Sequence, residues 1–466
     1  MWQGTAMSCL HSSDSSPVSG GAALSVAVVG AGLAGCECAL RLARAGIAVT
    51  LFEQKPVRLS PAHTSPLLAE LVCSNSFRSD DPNSGIGLLK RELRDLGSDL
   101  MAVADATRVP AGKALAVDRD AFAAGVTAKI EAAPEITLVR REVASLDAPE
   151  LAGFARVVVA AGPLASEGLS ASLAEATGSG HLYFYDAIAP IVAADSIDMT
   201  VAFPGSRYGE AGQGDYLNCP MNEEEYRAFY TALLEGERVR GRDFEQERHF
   251  EGCMPVEALA ERGERTLAFG PLKPVGFIDP RTGRRPCALL QLRPETVNRT
   301  MYNLVGCQTK LTYAAQAAVF RRVPGLERAE FVRFGSMHRN TYVNAPAVLN
   351  PDLSLVARPH VHLAGQITGV EGYVESLACG LWVGMLLSAA LLGRTLAPPP
   401  PETALGALLG HLATPTKRFQ PSNAHFGLMP EPEARVKKRD RKAAYADRAR
   451  RAFAAWAGGG LPEMLP

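Results

Sequence analysis

The stretch SVAVVGAGLAGCECALRLARAGIAVTLFE, from Ser25 to Glu53, limits the fold of this chain more than any other. Val26–Val29 is a short apolar run that reads as a buried parallel strand. Gly30, Gly32 and Gly35 then give G-x-G-x-x-G, and from Leu33 through Ala43 the apolar spacing turns helical. A second strand, Ile47–Phe52, ends in Glu53, 23 residues after Gly30. Each part of the dinucleotide-binding βαβ fingerprint stands in its required context. Gly30 permits the tight turn, Gly32 lets the backbone approach a pyrophosphate, and Gly35 lets the helix sit close to the strand. The turn from Ala31 through Leu33 and Ala34 opens a helix whose free N–H groups and partial positive charge suit phosphates. Glu53 is placed to accept hydrogen bonds from a ribose diol. The motif alone leaves FAD and NAD equally open.

A chain of 466 residues can bury a large core divided among two or three domains. Its 48 basic and 49 acidic residues balance, so nucleic-acid binding has to come from a local patch. The nine cysteines show no C-x-x-C pair, and no histidine cluster has zinc spacing. That points to reduced thiols, a cytoplasmic setting and no metal. Residues 1–23, rich in Ser, Gly and Ala, read as a disordered extension without the pattern of a signal peptide. No apolar run reads as a membrane span, so a soluble protein is expected.

After Glu53 a long polar loop runs to Gly87, placed where such loops lie over a cofactor. Leu88–Leu96 is helical, Asp118 stands near the start of another helix, and Ile136–Arg141 and Arg156–Ala160 are strand candidates. Val157–Gly162 (VVVAAG) ends in small residues suited to a second close approach of backbone to cofactor. From about Ser196 the texture changes to more aromatic, Gly and Pro positions. The expected organisation is α/β: a Rossmann-like dinucleotide domain, 24–195, interrupted by a smaller α+β insertion domain, 196–330, and completed by 331–466. In that last part a strand at Val361–Leu363 precedes a Gly-rich turn and an apolar helix. Gly365, Gln366 and Thr368 in that turn form a second candidate contact strip for the cofactor. A proline linker, Pro398–Pro401, leads toward Arg435–Arg451, where nine Lys or Arg face two Asp. That basic helix reads first as a solvated face. The aromatics Tyr445, Phe453 and Trp456, with Lys417, Arg418 and Phe419 upstream, make RNA contact the second reading.

Two cysteines have settings unlike a packed core. Cys73 in ELVCSNS is followed by Ser74, Asn75 and Ser76, with Arg78 near in sequence, and a reactive thiol needs a polar, cationic neighbourhood. Cys253 in FEGCMPVE lies in a turn, with His249 and Glu251 close enough in sequence to act as base or orienter. A small buried apolar thiol is the competing reading for both. Cys36, Cys38, Cys219, Cys287, Cys307 and Cys379 read as packing residues.

These segments together resemble the bacterial folate- and FAD-dependent tRNA (uracil-5-)-methyltransferase family. The likeness rests on GAGLAGCE at Gly30, PAHTSPLLAELVCSNSFRS at Pro61, GIGLLKREL at Gly85 and TRVPAGKALAVDR at Thr107. It continues through GDYLNCPM at Gly214, FEGCMPVE at Phe250, FGPLKPVGF at Phe269, MHRNTYVNAP at Met337 and AGQITGVEGYVES at Ala364. The resemblance implies FAD as the bound dinucleotide, methylenetetrahydrofolate as carbon donor, NAD(P)H as reductant and the tRNA T-loop as substrate. Reduced flavin is implied to take the methylene unit at N5 and deliver it to uracil C5, while a cysteine adds to C6. The family's two functional cysteines fall on Cys73 and Cys253, and which of them attacks the base stays open.

Some positions depart from the family pattern. Phe52 and Lys55 stand where Tyr and Arg are usual, Ser65-Pro66 replaces an Asp or Lys, and Ala315–Phe320 loses charge. Competing readings keep the chemistry on a ribosomal RNA uridine, or keep only an NAD(P)H-dependent FAD oxidoreductase without methyl transfer. A related wobble-uridine flavoprotein would share the flavin domain and lack ELVCSNS and HFEGCMP.

Overall fold

The computed structural model describes residues 24–60, 62–178, 182–206, 214–239, 254–416, 419–432, 436–437 and 439–459. The expected extension 1–23 lies outside them, as does the segment carrying His249, Glu251 and Cys253. One six-stranded sheet is built around the fingerprint. Ser25–Val29 lies centrally, pairing in parallel with Ala48–Glu53 on one side and Arg156–Val159 on the other. Ile136–Arg140 extends the first side, and Arg358–Leu363 extends the second. Only the short Ser354–Leu355 edge runs antiparallel. Val26, Ala27 and Val28 are completely buried, as a strand covered on both faces requires. The expected strands at 136–141, 156–160 and 361–363 are all present in this sheet.

Helices Leu33–Arg44 and Tyr373–Leu391 pack together on one face. Glycine makes this approach close: a Cβ on Gly380 would stand 2.2 Å from the Ala34 carbonyl oxygen. The second helix is long and apolar enough to cross a membrane, contrary to the sequence expectation, yet 83% of its apolar window is buried inside the protein. Its hydrophobicity comes from being a core helix surrounded on all sides.

A second, antiparallel six-stranded sheet takes its strands from the intervening sequence. In spatial order these are Phe203–Gly205, Tyr216–Met221, Ala288–Pro294, Met301–Leu304, Ile191–Ala193 and Phe331–Arg333. It has its own apolar cluster, with Phe229, Leu233, Leu290, Leu292 and Phe320 at its centre. Helix Glu223–Glu235 opens with a capping box, Asn222 and Glu225 exchanging side-chain and backbone bonds. The fold is thus a Rossmann-like parallel sheet interrupted by a smaller α+β body. Every residue of Ala288–Pro294 is buried, including Gln291 and Arg293. Buried polar side chains on a strand need partners, and Arg293 finds them across the boundary between the two sheets.

Candidate cofactor and thiol site

The Gly-rich turn opens onto a cleft of about 1090 Å³, the open solvent at its mouth included, at the carboxyl ends of the parallel strands. Gly30, Ala31, Gly32, Leu33, Ala34, Glu53, Gly365 and Gln366 line it, together with Ala160 to Ser166, which follow strand Arg156–Val159. Gly30 has φ +100, and a Cβ there would meet the Ala161 backbone at 2.6 Å. A Cβ on Gly35 would strike the Gly30 carbonyl oxygen at 1.8 Å, whereas one on Gly32 would have no protein atom within 4 Å. Gly30 and Gly35 therefore set the shape of the turn, and Gly32 leaves space on the cavity side. Helix Leu33–Arg44 has no side-chain cap, so its first N–H groups are left for a ligand. Gly35 is not among the lining residues, and neither is Thr368. Thr368 is fully buried and donates to the Gly365 carbonyl, bracing the second strip instead of facing a ligand.

Glu53 is buried at the end of the second strand and accepts from the backbone of Ala31 and Lys55, both at 2.9 Å. Each carboxylate oxygen keeps a further lone pair, enough for a ribose hydroxyl. A cavity lined by a bare helix N-terminus, an open Gly32 and an acidic strand end fits a dinucleotide. Lys55, the departure from Arg, is buried and braces the following loop through the Leu67 carbonyl (2.5 Å) and Glu70 (3.4 Å). His63 from that loop also lines the cavity, its Nδ1 2.5 Å from the Ser60 hydroxyl. Burial, then the charge of Lys55, pulls its imidazole below the usual range and keeps it neutral near pH 7.

A second cavity, of about 1120 Å³ with the open solvent at its mouth included, adjoins the first. The two share Val72, Pro163, Leu164, Gln366 and Tyr373 as common lining. Cys73 lies in the wall of the second, half-buried, with Sγ 2.9 Å from the Tyr373 hydroxyl. That hydroxyl also accepts from the backbone N–H of Cys73 (2.8 Å) and Ser74 (3.2 Å), which fixes the thiol loop against the first turn of helix Tyr373–Leu391. Burial raises the Tyr373 phenol well above its ordinary value, so it stays protonated and can donate to sulfur.

The positive surroundings of Cys73 come from distant sequence. Arg78, the nearest candidate, lines the same cavity but pairs with Glu375. Arg293 donates to Asn75 Oδ1 and Ser74 Oγ, both at 2.8 Å. Arg119 bonds Glu295 at 2.6 Å and the Leu71 carbonyl at 2.6 Å. Burial opposes the charge on Arg119, and Glu295 more than restores it. Burial pulls Arg293 and Arg333 downward, and Cys73 acts electrostatically on all three guanidiniums. This is the setting a nucleophilic thiol needs. Arg293 carried one sequence signal, a lone cation inside the apolar run ALLQLR; Tyr373 and Arg119 carried none.

Cys253 lies outside the described residues, but the chain on either side of its segment is placed. Val239 donates to the Lys310 carbonyl and Val256 to that of Gln308, and Gln308 lines the thiol cavity.

The comparisons with known proteins agree with this geometry. The sequence profile of the glucose inhibited division protein A family matches residues 25–395. A methylenetetrahydrofolate–tRNA-(uracil-5-)-methyltransferase TrmFO of Nitratidesulfovibrio vulgaris strain DP4 is 70% identical over 431 residues, covering 92% of this chain and 89% of its own. The chain belongs to this methyltransferase family. The protein of the same name from Oleidesulfovibrio alaskensis is 67% identical, covering 93% and 97% of the two chains. Among solved structures, Aquifex aeolicus GidA superposes with a TM-score of 0.64 at 17% identity, over 92% of this chain and 76% of that one, which establishes the shared fold.

Other candidates take quieter places in the family fold. Burial pushes the Cys36, Cys38 and Cys307 thiols up, that of Cys219 to about 12 and that of Cys379 to about 11, as expected of packing residues. The basic helix spans Arg441–Gly458. Its aromatics are not an RNA surface: Tyr445 and Phe453 are buried, and Trp456 packs against Trp382. Phe419 is likewise buried, stacked on His411, while Lys417 and Arg418 lie outside the described residues. Helical spacing puts the apolar rings on the inner face and leaves Lys442 and Arg451 exposed on the outer one.

Proposed function

We propose that this chain methylates C5 of a uridine in the tRNA T-loop, with methylenetetrahydrofolate as carbon donor, FAD as bound cofactor and NAD(P)H as reductant. One observation carries the reading: the cavity at the Gly-rich turn and a cationic thiol cavity meet at Tyr373. Gly30 to Ala34, Glu53, Gly365 and Gln366 would hold FAD, which supplies redox and one-carbon chemistry to the adjoining cavity. Uracil C5 is a poor nucleophile, and addition of a thiolate to C6 places electron density on it. Cys73 and Cys253 divide this addition and the protection of the cofactor between them. C5 then bonds the one-carbon unit and loses its proton, and the bond between that carbon and its nitrogen carrier breaks with the electron pair leaving on nitrogen. Once a hydride equivalent has reached the carbon, the thiolate departs as the C5–C6 double bond returns. NAD(P)H provides the two electrons that complete the methyl group. Tyr373 donates to the Cys73 sulfur, and Arg293 holds the loop through Ser74 and Asn75. Exposed cations of the C-terminal helix gather RNA phosphates. The chemistry needs neither metal nor membrane, and reduced thiols with an RNA substrate suit the cytoplasm.

The test is incubation of the purified flavoprotein with unmodified tRNA, labelled methylenetetrahydrofolate and NADPH. Label in T-loop ribothymidine is the expected result. Label in ribosomal RNA alone moves the substrate and keeps the chemistry. With FAD bound and no label in either RNA, the methyl-transfer reading is wrong.

A further inference from the structure

Three aromatic rings at the edge of the antiparallel sheet have no part in the chemistry above. Tyr313 and Phe334 stack with centroids 4.9 Å apart and planes 16° from parallel. Phe334 and Phe331 continue the column at 5.0 Å and 13°. Aromatic pairs inside proteins commonly meet edge-on or offset, and the other described pairs here, save His411 on Phe419, are tilted or T-shaped. A run of three near-parallel rings is therefore a built arrangement, and its spacing is that of stacked planar rings. Phe331 belongs to the outermost strand of its sheet. Tyr313, at the other end of the column, begins helix Tyr313–Phe320 and is 60% exposed.

The column carries charge as well as rings. The Arg321 guanidinium lies 5.9 Å from the Phe331 centroid and is pinned by two bonds to the Ala329 carbonyl, at 3.2 and 3.0 Å. Residues 310–334 contain five Lys or Arg against two Glu. The column also connects directly to the thiol cavity. Arg333, two residues past Phe331, donates to the Ala62 carbonyl at 3.0 Å and lies close enough to Cys73 and Tyr373 to interact with both. Gln308, in the cavity wall, precedes Tyr313 by five residues.

We propose that this column is a base-stacking platform, on which an unpaired nucleobase near the target uridine stacks against Tyr313 while the uridine enters the thiol cavity. The inference rests on the RNA reading of the site and specifies where that RNA is gripped. Every base offers a π-face, so such a platform tolerates sequence, and a cation at its far end strengthens it. Single-stranded loops are where RNA exposes bases for such contacts.

The test uses the holoenzyme and a fluorescein-labelled T-arm hairpin, with Kd read by anisotropy. Tyr313→Ala is expected to weaken binding about tenfold, and Phe334→Ala to weaken it in the same direction. Tyr313→Trp should restore affinity, because a larger ring still stacks. NADPH-driven flavin reduction without RNA should not change in Tyr313→Ala, an exposed position whose loss leaves the fold intact. Unchanged affinity in Tyr313→Ala, or an equal loss in Tyr313→Trp, overturns the platform. Methylation by an enzyme whose RNA binding ignores Tyr313 would remove the platform and leave the methyl-transfer reading. Tyr313-dependent binding without any methylation would do the reverse.

Discussion

The two glycines of the turn make different demands, and substituting each separates cofactor binding from folding. At Gly35 an added methyl would lie 1.8 Å from the Gly30 carbonyl oxygen, where ordinary contact begins at 3.4 Å. The helix and strand would have to part by roughly 1.6 Å, a large displacement in a close-packed interior. Overpacking of this kind costs about 1–3 kcal/mol, and the shift falls on the turn that meets the phosphates. At Gly32 the methyl meets no protein atom within 4 Å, and the residue has φ −78, which alanine adopts freely. Its only obstacle is whatever fills the cavity. Gly32→Ala should therefore keep the thermal midpoint of the apoprotein while losing most FAD, read as absorbance near 450 nm per protein. Gly35→Ala should lose both. Full FAD occupancy in Gly32→Ala would refute the placement of the pyrophosphate against this turn, whatever the stability data show.

Other perturbations reach different parts of the site. Tyr373→Phe strands the N–H groups of Cys73 and Ser74, each at a cost of about 1–3 kcal/mol if buried; hydrogen exchange in the peptide covering 71–76 should quicken while FAD content holds. Cys73→Ser should retain FAD and lower ribothymidine formation at least about a hundredfold, as loss of a covalent catalyst implies; near-normal turnover would assign the attack to Cys253. Removing Lys442 and Arg451 together should flatten the slope of log K for tRNA against log salt by about 1.5. Burial lifts the Glu92 carboxyl to about 7, although it caps helix Ala404–Ala413 through the N–H groups of Ala404 and Leu405. An acid with a raised folded-state pKa binds its proton more tightly folded than unfolded, so its contribution is favourable at low pH and declines as pH rises from about 4.5 to 7. The stability of wild type relative to Glu92→Gln should fall across that window and level off above it, measured by urea midpoints at several pH values.

The sequence exposed the parts whose chemistry is local. The βαβ unit from Ser25 to Glu53 declares itself because turn, helix start and acidic strand end are contiguous and each glycine has a steric reason. Cys73 stood out because polar neighbours flank it. Its cations did not, because Arg119, Arg293 and Arg333 come from three separate elements and meet only in the folded chain. Tyr373 looked like any first-turn residue of an apolar helix until the fold put it beside a loop 300 residues away. The aromatics of the C-terminal helix misled for the converse reason: composition shows that rings and cations share a helix, and only packing decides which face each takes. Thr368 likewise read as a contact, and its hydroxyl bonds the Gly365 carbonyl, since a hydroxyl in a Gly-rich turn serves its own backbone as readily as a ligand.

The hydroxyl that anchors Cys73 has a consequence for how the protein is made. A ribosome emits Cys73 long before Arg293, and 300 residues before Tyr373. Until both have emerged and docked, the thiol has neither its hydrogen-bond donor nor its surrounding cations, even if the first βαβ unit has already formed. Its polar, cationic setting is withheld from the nascent chain and conferred by one of the last core helices to arrive. An unfinished chain thus presents Cys73 as an ordinary cysteine, and its hydrogen-bonded, cationic surroundings come into being only when helix Tyr373–Leu391 has docked.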